Sequence, residues 1–491
     1  MSINFNQVPA NLRVPWVYIE FNNSQANQGT SQQPYQSLII GQMLPAGSAI
    51  PNKPVLVTSP NQAASLFGAG SMLALMASAY FANNSFTPVY FLPLQDNPAG
   101  VTAKGNIAFS GSPSVAGTLN LYIGGVQVQI AVNAGMTPQQ IVQAVVSAIN
   151  ANSSLPVTAS VDTTNNFQVD LVCEWKGDTG NKIDIRTTYY TGDSLPVGLA
   201  VTVTAMAGGS GNPQLSLAIP NLGPAQFNVI ANPYLDQPNL TALQTELSNR
   251  WGPMEQIEGF TFMADSETFA NLATFGNGQN SQFFSTMGVY NSPTPPFIWG
   301  AALAAIVAYY AAIDPARPFQ TLEIAGVLAP ALSDRFTSTE QNMLLYDGIS
   351  TYSVDGDGTV RIQRLISMYQ KNAAGAPDPS YLDMCTLFTL SYLRYDMRNL
   401  FLKKYPRSKL ADDGKTYPPS MAVVTPSLAK AEMIARYKDW MDTGLVDDIE
   451  TFKAGLVVER NSSDPNRLDT YLDPSLVNQL MVMGVQIGFL L

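Results

Sequence analysis

The chain ends with the stretch MVMGVQIGFLL, residues Met481–Leu491, in which every odd-numbered position is apolar. These odd-numbered residues are Met481, Met483, Val485, Ile487, Phe489 and Leu491. An alternation with period 2 predicts a β-strand with one buried face. Because the stretch carries no charge, we expect a strand spanning Gln479–Leu491 to complete a sheet, either in its own subunit or in a neighbouring one.

Upstream lies the stretch SYLRYDMRNLFLKKYPRSKLADDG, residues Ser391–Gly414. A helix with one apolar stripe is predicted to overlap its first part. The stripe consists of Leu387, Leu390, Leu393, Met397 and Leu400. Pro406 is expected to end the helix. Arg394 and Arg398 lie four residues apart on one face, where like charges repel by about 0.2–0.5 kcal/mol. This repulsion predicts an anionic partner for the helix.

The composition predicts a chain of several domains that packs against other proteins. A chain of 491 residues is too long for one core, so about two to four domains are expected. Only 12% of the residues are charged, about half the usual share. The formal net charge of −11 argues against nucleic acid as a partner, and acidic residues interrupt the basic cluster around Arg394. We therefore expect that cluster to form ion pairs with another protein.

Several classes of protein are disfavoured by what the sequence lacks. The chain has no histidine, which removes histidine-based catalysis and metal ligation. Two cysteines, Cys173 and Cys385, form neither a disulfide framework nor a metal motif, and they indicate a reducing compartment. The N-terminus has no signal-peptide pattern. Phe297–Ile313 is apolar enough to cross a membrane, but its alanine content and flanking prolines favour a buried helix.

Each candidate catalytic or cofactor motif has a simpler structural explanation or is absent. Asp355-Gly-Asp-Gly358 lacks the later ligands of an EF-hand loop and predicts a hairpin turn instead. The phosphate-binding patterns GxxxxGK[ST] and GxGxxG are absent from the sequence. Adjacent carboxylates such as Asp412 and Asp413 are expected to be solvated surface charges. We therefore expect no catalytic residues, no metal and no cofactor.

The N-terminal segment is interpreted as an extended arm. Val14–Phe21 is rich in β-branched and aromatic residues, and the polar run Asn22–Gln33 follows it. A strand on a polar tether suits donation to the sheet of another subunit, although it would equally suit the first strand of a local fold.

Strands and helices alternate from Ser37 to Leu92 and again after about Phe227, which predicts a parallel or mixed sheet. Between them, residues 101–212 are rich in Thr, Val, Asn and Gly, and they predict a mostly-β insertion with a helix at Thr137–Asn150. Gly208–Gly211 is interpreted as a flexible exit from it. Of the 61 charged residues, 31 lie at or beyond Arg361, which marks a separate C-terminal domain.

The expected fold class is therefore α/β (α+β) and multidomain. A mixed-sheet core is built from both ends of the chain, with an inserted mostly-β domain and extended terminal strand arms. The predicted divisions are an N-terminal linking arm at 1–29, a first α/β core segment at 30–100, the insertion at 101–212, a second α/β core segment at 213–370, a C-terminal α+β domain at 371–478 and a linking strand at 479–491.

The sequence resembles the contractile tail sheath proteins of Mu-like bacteriophages. The resemblance lies in PANLRVPWVYIE (Pro9–Glu20), in AYYAAIDPARP (Ala308–Pro318) and in the C-terminal sequence after Ser391. In that last region it includes the Arg-rich helix, the Lys-Tyr-Pro-Arg and Val-Glu-Arg-Asn sequences and the terminal strand. It covers roughly the first hundred residues and those after about Leu215.

The resemblance implies a virion protein, assembled in the host cytoplasm, that forms stacked six-fold rings around a tail tube. The implied partners are further copies of itself, the tail tube protein, and the baseplate and tail terminator proteins, with no nucleic acid and no membrane insertion. The subunit-linking residues would be Val14, Trp16, Val17, Tyr18, Ile19 and Phe21, together with the six odd-numbered residues of the terminal strand. Tube-facing residues would be Arg394, Arg398, Lys403 and Lys404. Another virion component, such as a tube or baseplate protein, and a histidine-free hydrolase stay open as alternatives.

Overall fold

The computed structural model describes residues 13–15, 17–19, 32–418 and 421–490. These residues divide into two compact units. The larger unit contains residues 34–392 and 478–490, and the smaller unit contains residues 393–477 together with the described residues before Pro34. This division falls at residue 392, whereas the domain boundary near 371 stays a prediction from the sequence.

The larger unit begins with buried strands and two helices. Its first elements are β1 (Ser37–Gln42), β2 (Val55–Val57), α1 (Pro60–Phe67), α2 (Met72–Asn83) and β3 (Val89–Leu94). The helices begin where a serine caps them: Ser59 accepts from the Gln62 amide and Ser71 from the Ala74 amide. All six residues of β1 are buried, as expected for a central strand covered on both faces.

The insertion contains two antiparallel sheets and one helix. Its elements are β4 (Thr102–Gly111), β5 (Gly117–Ile123), β6 (Val126–Val132), α3 (Pro138–Ala151), β7 (Val157–Val161), β8 (Gln168–Lys176), β9 (Ile185–Thr187) and β10 (Leu199–Ala207). The strand orders are β10-β4-β8-β7 and β6-β5-β9. Thr137 and Gln140 form a capping box at the start of α3, as its sequence predicts.

One expectation for the insertion is corrected, that of a flexible exit. Gly208–Gly211 is not a flexible exit: the Gly209 amide donates to Asn181 Oδ1 over 2.8 Å, and Ser210 pairs with Val101 in a β-bridge. A Cβ atom on Gly209 would lie 2.3 Å from the Gly177 carbonyl oxygen. This glycine therefore permits close packing of two chain segments rather than flexibility.

The α/β pattern resumes after the insertion. The elements are β11 (Val229–Ala231), α4 (Gln237–Trp251), β12 (Phe260–Asp265), α5 (Phe269–Gly278), β13 (Phe284–Gly288), α6 (Pro296–Ile313), α7 (Ser338–Tyr346), β14 (Ile349–Val354) and β15 (Val360–Arg364). They complete an eight-stranded mixed sheet in the order β15-β14-β13-β12-β11-β1-β3-β2. The strands from β14 to β3 pair in parallel, and β15 and β2 add antiparallel edges. The core thus combines the segments on both sides of the insertion, which confirms the expected fold class.

Helix α6 lies at the centre of this core. It packs against α2, β11 and β12, and Trp299 is completely buried. The only helix among the described residues that is long and apolar enough to cross a membrane is therefore mostly buried within the protein, as expected. Asp355-Gly-Asp-Gly358 forms the turn between β14 and β15, and Arg361 pairs with Asp355 over 2.6 Å, which confirms the hairpin.

The smaller unit combines helices with short strands. Helix α8 (Met384–Lys404) begins in the larger unit and continues into the smaller one. The remaining elements are β16 (Lys409–Leu410), β17 (Val423–Val424), α9 (Pro426–Asp442), β18 (Val446–Asp447), α10 (Ile449–Gly455), β19 (Val457–Arg460), β20 (Leu468–Tyr471) and β21 (Ser475–Leu476). The strands form three two-stranded sheets, β16-β17, β18-β21 and β19-β20. Leu387, Leu393 and Leu400 of the predicted stripe are buried, and α8 ends two residues before Pro406.

Candidate assembly surfaces

Most side chains of the described C-terminal segment, residues 477–490, are exposed. None of the described residues 477–490 forms a strand, so the single chain does not show the segment completing a sheet of its own subunit, and its pairing with a neighbouring subunit stays a prediction. Ile487 is 84% exposed and Phe489 is 80% exposed. Val482, on the opposite side of the alternation, is exposed as well, so neither face is buried. A strand needs a neighbouring strand, and among the described residues none pairs with this segment.

One hydrogen bond marks where the exposed segment begins. Gln320 Nε2 donates to the Leu480 carbonyl oxygen over 3.0 Å. Met483 and Val485 lie beyond this contact and are exposed. Leu491, the last of the predicted linking residues, lies outside the described residues.

The described portion of the N-terminal segment shows the same exposure. Val14, Val17 and Ile19 are exposed, as is Tyr18, and residues 13–15 and 17–19 form no strand. Trp16 and Phe21 lie outside the described residues. The role of these side chains in linking subunits stays a prediction.

The basic residues of α8 differ in their surroundings. Arg398 and Lys403 are exposed, and Arg394 is half-buried. Lys404 Nζ lies 2.6 Å from Glu432 Oε2 on α9, and the Tyr405 hydroxyl donates to Glu432 Oε1 over 3.0 Å. Burial raises the pKa of Tyr405, so its proton stays in place to make this bond. The charge of Lys404 is therefore compensated within the subunit, which leaves Arg398 as the more accessible cation.

A buried polar cluster holds α8 against α9, and the sequence patterns above did not predict it. Asp396 is 0% exposed and accepts a hydrogen bond from Trp440 Nε1 over 2.8 Å. Arg436 is 5% exposed, and its Nε lies 3.5 Å from the Asp396 carboxylate. The sequence does contain a signal for it, namely a charged residue on the apolar stripe. Asp396 lies three residues after Leu393 and four before Leu400.

The sheets of the smaller unit leave side chains exposed at their margins. Hairpin β19-β20 pairs Val457 with Tyr471, and both side chains are exposed. A two-stranded sheet is only marginally stable in water, and a third strand or a covering helix is usually needed. In the described chain α9 packs on β19, while no further strand pairs with the hairpin.

The charge is distributed unevenly between the two units. The sequence of the larger unit contains 11 Lys and Arg against 22 Asp and Glu, and the rest of the chain contains 14 of each. The whole net charge of −11 thus belongs to the larger unit. The smaller unit has a dense but balanced surface, which suits specific ion pairs rather than general attraction to a polyanion.

A cleft of about 330 Å³ lies in the larger unit at the carboxyl end of β12, where α/β sheets often bind ligands. Lys182 bridges Asp265 and Glu267 there, over 3.2 and 2.6 Å, and Asp178 and Asp236 line the same cleft. Burial raises the pKa of the Asp265 carboxyl. These carboxylates oppose binding of a phosphate group. Among the described residues, no group of three or more His, Cys, Asp or Glu could hold a metal ion.

Comparison with known proteins gives the family of the chain. The model of the phage tail sheath protein central domain matches residues 208–368, and that of the phage tail sheath C-terminal domain matches residues 376–489. A protein of Haemophilus influenzae is 41% identical over 491 residues, covering both chains completely. The chain belongs to the phage tail sheath family. The Haemophilus protein is described as the Mu-like prophage FluMu tail sheath protein, which confirms the resemblance to the sheaths of Mu-like phages.

Solved structures of low sequence identity are similar over most of their length. A sheath tail protein of Desulfitobacterium hafniense is 12% identical, with 94% of this chain and 100% of that chain covered and a TM-score of 0.47. A chain of the anti-feeding prophage helical sheath in its contracted state is 11% identical, with 98% and 99% covered and a TM-score of 0.48. The family assignment rests on the sequence matches.

Proposed function

We propose that the chain polymerises as stacked six-fold rings around a tail tube and contracts to drive that tube through the host envelope. The full-length relationship to a Mu-like tail sheath protein carries this proposal. The charge-free terminal segment supports it, because exposed apolar side chains such as Ile487 and Phe489 would be buried by pairing with another subunit. The proposed partners are further copies of the chain, the tail tube protein, and the baseplate and tail terminator proteins.

The proposed links between subunits are strands added to a neighbour's sheet. The donors are the arm around Val14–Phe21 and the strand Gln479–Leu491. Hairpin β19-β20 is the acceptor that we favour, because a two-stranded sheet gains stability when further strands pair with its edges. Main-chain hydrogen bonds would then hold the subunits together while their rigid bodies move.

The proposed contraction needs no enzymatic activity of this chain. New contacts between subunits would supply the work, as the assembly passes from a metastable extended state to a more stable short one. The acidic cleft opposes nucleotide binding, which agrees with a structural role. Assembly in the host cytoplasm and a place in the virion follow from the same proposal.

Negative-stain electron microscopy of the purified chain tests polymerisation. We expect long hollow tubes from the full chain and none from a variant truncated before Gln479. The matched control is Gln486→Asn, which keeps the length and the apolar alternation, and it should polymerise normally. Monodisperse particles from the full chain, with and without added tube protein, would overturn the proposal.

A second experiment tests the proposed tube-facing residues. Arg398→Glu should weaken co-assembly with the tail tube protein by at least tenfold, because it reverses an exposed charge on α8. Lys415→Glu makes the same charge change at another exposed site of the smaller unit and serves as the control. Equal co-assembly of the two variants would remove Arg398 from the tube contact.

A further inference from the structure

Two of the longer sheet edges of the larger unit are covered by its own chain. Beside β15, the Thr321 amide donates to the Ile362 carbonyl oxygen over 2.7 Å, and the Ile324 amide donates to Val360 over 2.9 Å. Beside β7, the Asn150 side-chain amide donates to the Ala159 carbonyl oxygen and accepts from its amide, over 2.8 and 2.9 Å. Neither edge is open to pairing at these positions.

Two further edges are too short to attract a strand. Strands β2 and β9 each contain three residues. Strand β9 also carries Arg186, whose guanidinium pairs with Asp184. Short strands and charged side chains are the usual means by which proteins prevent pairing between sheet edges.

Strands β6 and β10, both in the insertion, are longer and lack charged side chains, although β9 lies close to part of β10. They contain seven and nine residues, without a charged residue or a proline. Within the described chain, β6 pairs only with β5 and β10 pairs only with β4. The bulge in β10 begins after Thr204, so the regular part of its edge is 199–204. An uncharged edge of this length is a template for a strand of another chain.

Both strands are held firmly by their own sheets, so their edges are preformed. Val128, Ile130 and Val132 of β6 are buried, and so is Leu199 of β10. Their other faces present small or polar side chains to solvent, among them Gln129 on β6 and Thr202 on β10. An incoming strand would therefore gain main-chain hydrogen bonds without having to displace a charge or a bulky side chain.

We propose that β10 of one copy pairs with β6 of the next copy, so that the insertions of neighbouring subunits join edge to edge. The inference rests on the proposed function, because the occupant of each edge is a second copy in a homopolymer. Two unlike edges on one domain make a head-to-tail contact, and repeated head-to-tail contacts close into rings or extend into helices. One open edge alone would give only pairs.

Cross-linking within the assembled polymer tests this contact. Side chains on paired strands lie within roughly 5–8 Å, so we use the double variant Thr202→Cys and Gln129→Cys with a short bismaleimide. The native Cys173 and Cys385 are buried and should not react. The expected product is a ladder of dimers, trimers and higher species, whereas each single variant stays monomeric.

A covered edge supplies the matched control. Thr158 is exposed on β7, whose edge Asn150 covers, so Thr158→Cys combined with Gln129→Cys should yield only monomers. If the double variant Thr202→Cys and Gln129→Cys polymerises but gives only monomers after cross-linking, edge pairing is overturned and the proposed function stands. Dimers from Thr202→Cys alone would replace the head-to-tail contact with a symmetric one. An absence of polymer by electron microscopy would overturn both proposals.

Discussion

The two units of the chain differ in the size of their sheets. The larger unit builds one eight-stranded sheet around α6, whose centre is completely buried. The smaller unit distributes its strands over three two-stranded sheets and relies on α8, α9 and a buried cluster around Asp396. The larger core is stabilised mainly by apolar burial. The smaller core also depends on buried polar contacts, in which removing one group leaves the other buried without its partner.

This difference indicates that large and small sheets have different roles in the chain. A continuous core gives a rigid body that can move without changing its internal packing. Small open sheets and exposed apolar segments are weak in isolation and gain stability from additional strands. The predictions below test the comparison through the free energy of unfolding, which hydrogen exchange can follow in each unit separately.

The largest effect is expected from Trp299→Ala in α6. The side chain is completely buried, its Nε1 donates to Ser292 Oγ over 3.0 Å, and its ring lies 5.2 Å from that of Tyr352. Removing it should destabilise the larger unit by about 3–5 kcal/mol, measured from denaturant midpoints. Tyr346→Ala, at an exposed site of α7, should change the stability by less than about 0.5 kcal/mol. A similar loss for both variants would contradict the central role of α6.

A slightly smaller effect is expected from Asp396→Ala in the smaller unit. The change removes the buried Asp396 carboxylate from Arg436, which keeps the more exposed Asp439 at 3.5 Å, and it leaves Trp440 Nε1 without its acceptor. We expect a loss of about 3 kcal/mol, seen as faster hydrogen exchange in α8 and α9, while β12 of the larger unit keeps its protection.

The control for this variant is Asp412→Ala, which breaks the exposed ion pair with Arg460. It should cost less than about 1 kcal/mol. Faster exchange in β12 of the Asp396→Ala variant would show that the two units do not unfold separately.

A smaller, pH-dependent effect is expected at the start of α10. Asp448 caps this helix, and hydrogen bonds from Thr451 hold the pKa of its carboxyl below the usual range. A lowered folded pKa stabilises the protein above the unfolded pKa of about 3.9, and this contribution is lost as the pH falls through the folded value. Asp448→Asn should therefore unfold at a lower temperature than wild type at pH 7 and at the same temperature well below pH 3.9. A gap that persists in acid would point to a cause other than charge.

The smallest effect on folding is expected from Ile487→Asp in the exposed terminal segment. The free energy of unfolding should change by less than about 0.5 kcal/mol, since the side chain is 84% exposed. Tube formation should nevertheless be abolished, because a charge would enter the strand that links subunits. Ile487→Val keeps the apolar alternation and serves as the control. Normal tubes from Ile487→Asp would mean that this segment does not link the subunits.

Local sequence patterns determined most of the elements of this protein. Thr137, Pro138 and Gln140 specify the start of α3, because capping involves residues that are adjacent in the chain. The spacing of Leu387, Leu393 and Leu400 specifies the buried side of α8, because a helix places residues three and four apart on one face. Alternation between strands and helices likewise predicts the mixed sheet. Strand β4 was not predicted, although its buried positions alternate regularly, because Ala103 and Gly105 occupy two of them and give a weak apolar signal.

Tertiary structure decided what depends on distant neighbours. Two apolar stretches have opposite environments. Helix α6 packs against α2, β11 and β12, whereas the terminal segment pairs with no strand in the part of the chain that the structure describes. Gly209 allows close packing because another backbone lies against it, and Asp396 is buried because α9 supplies its partners. The periodicity of a sequence predicts which side of an element is apolar. Whether that side is buried depends on the residues that cover it, and these come from elsewhere in the sequence.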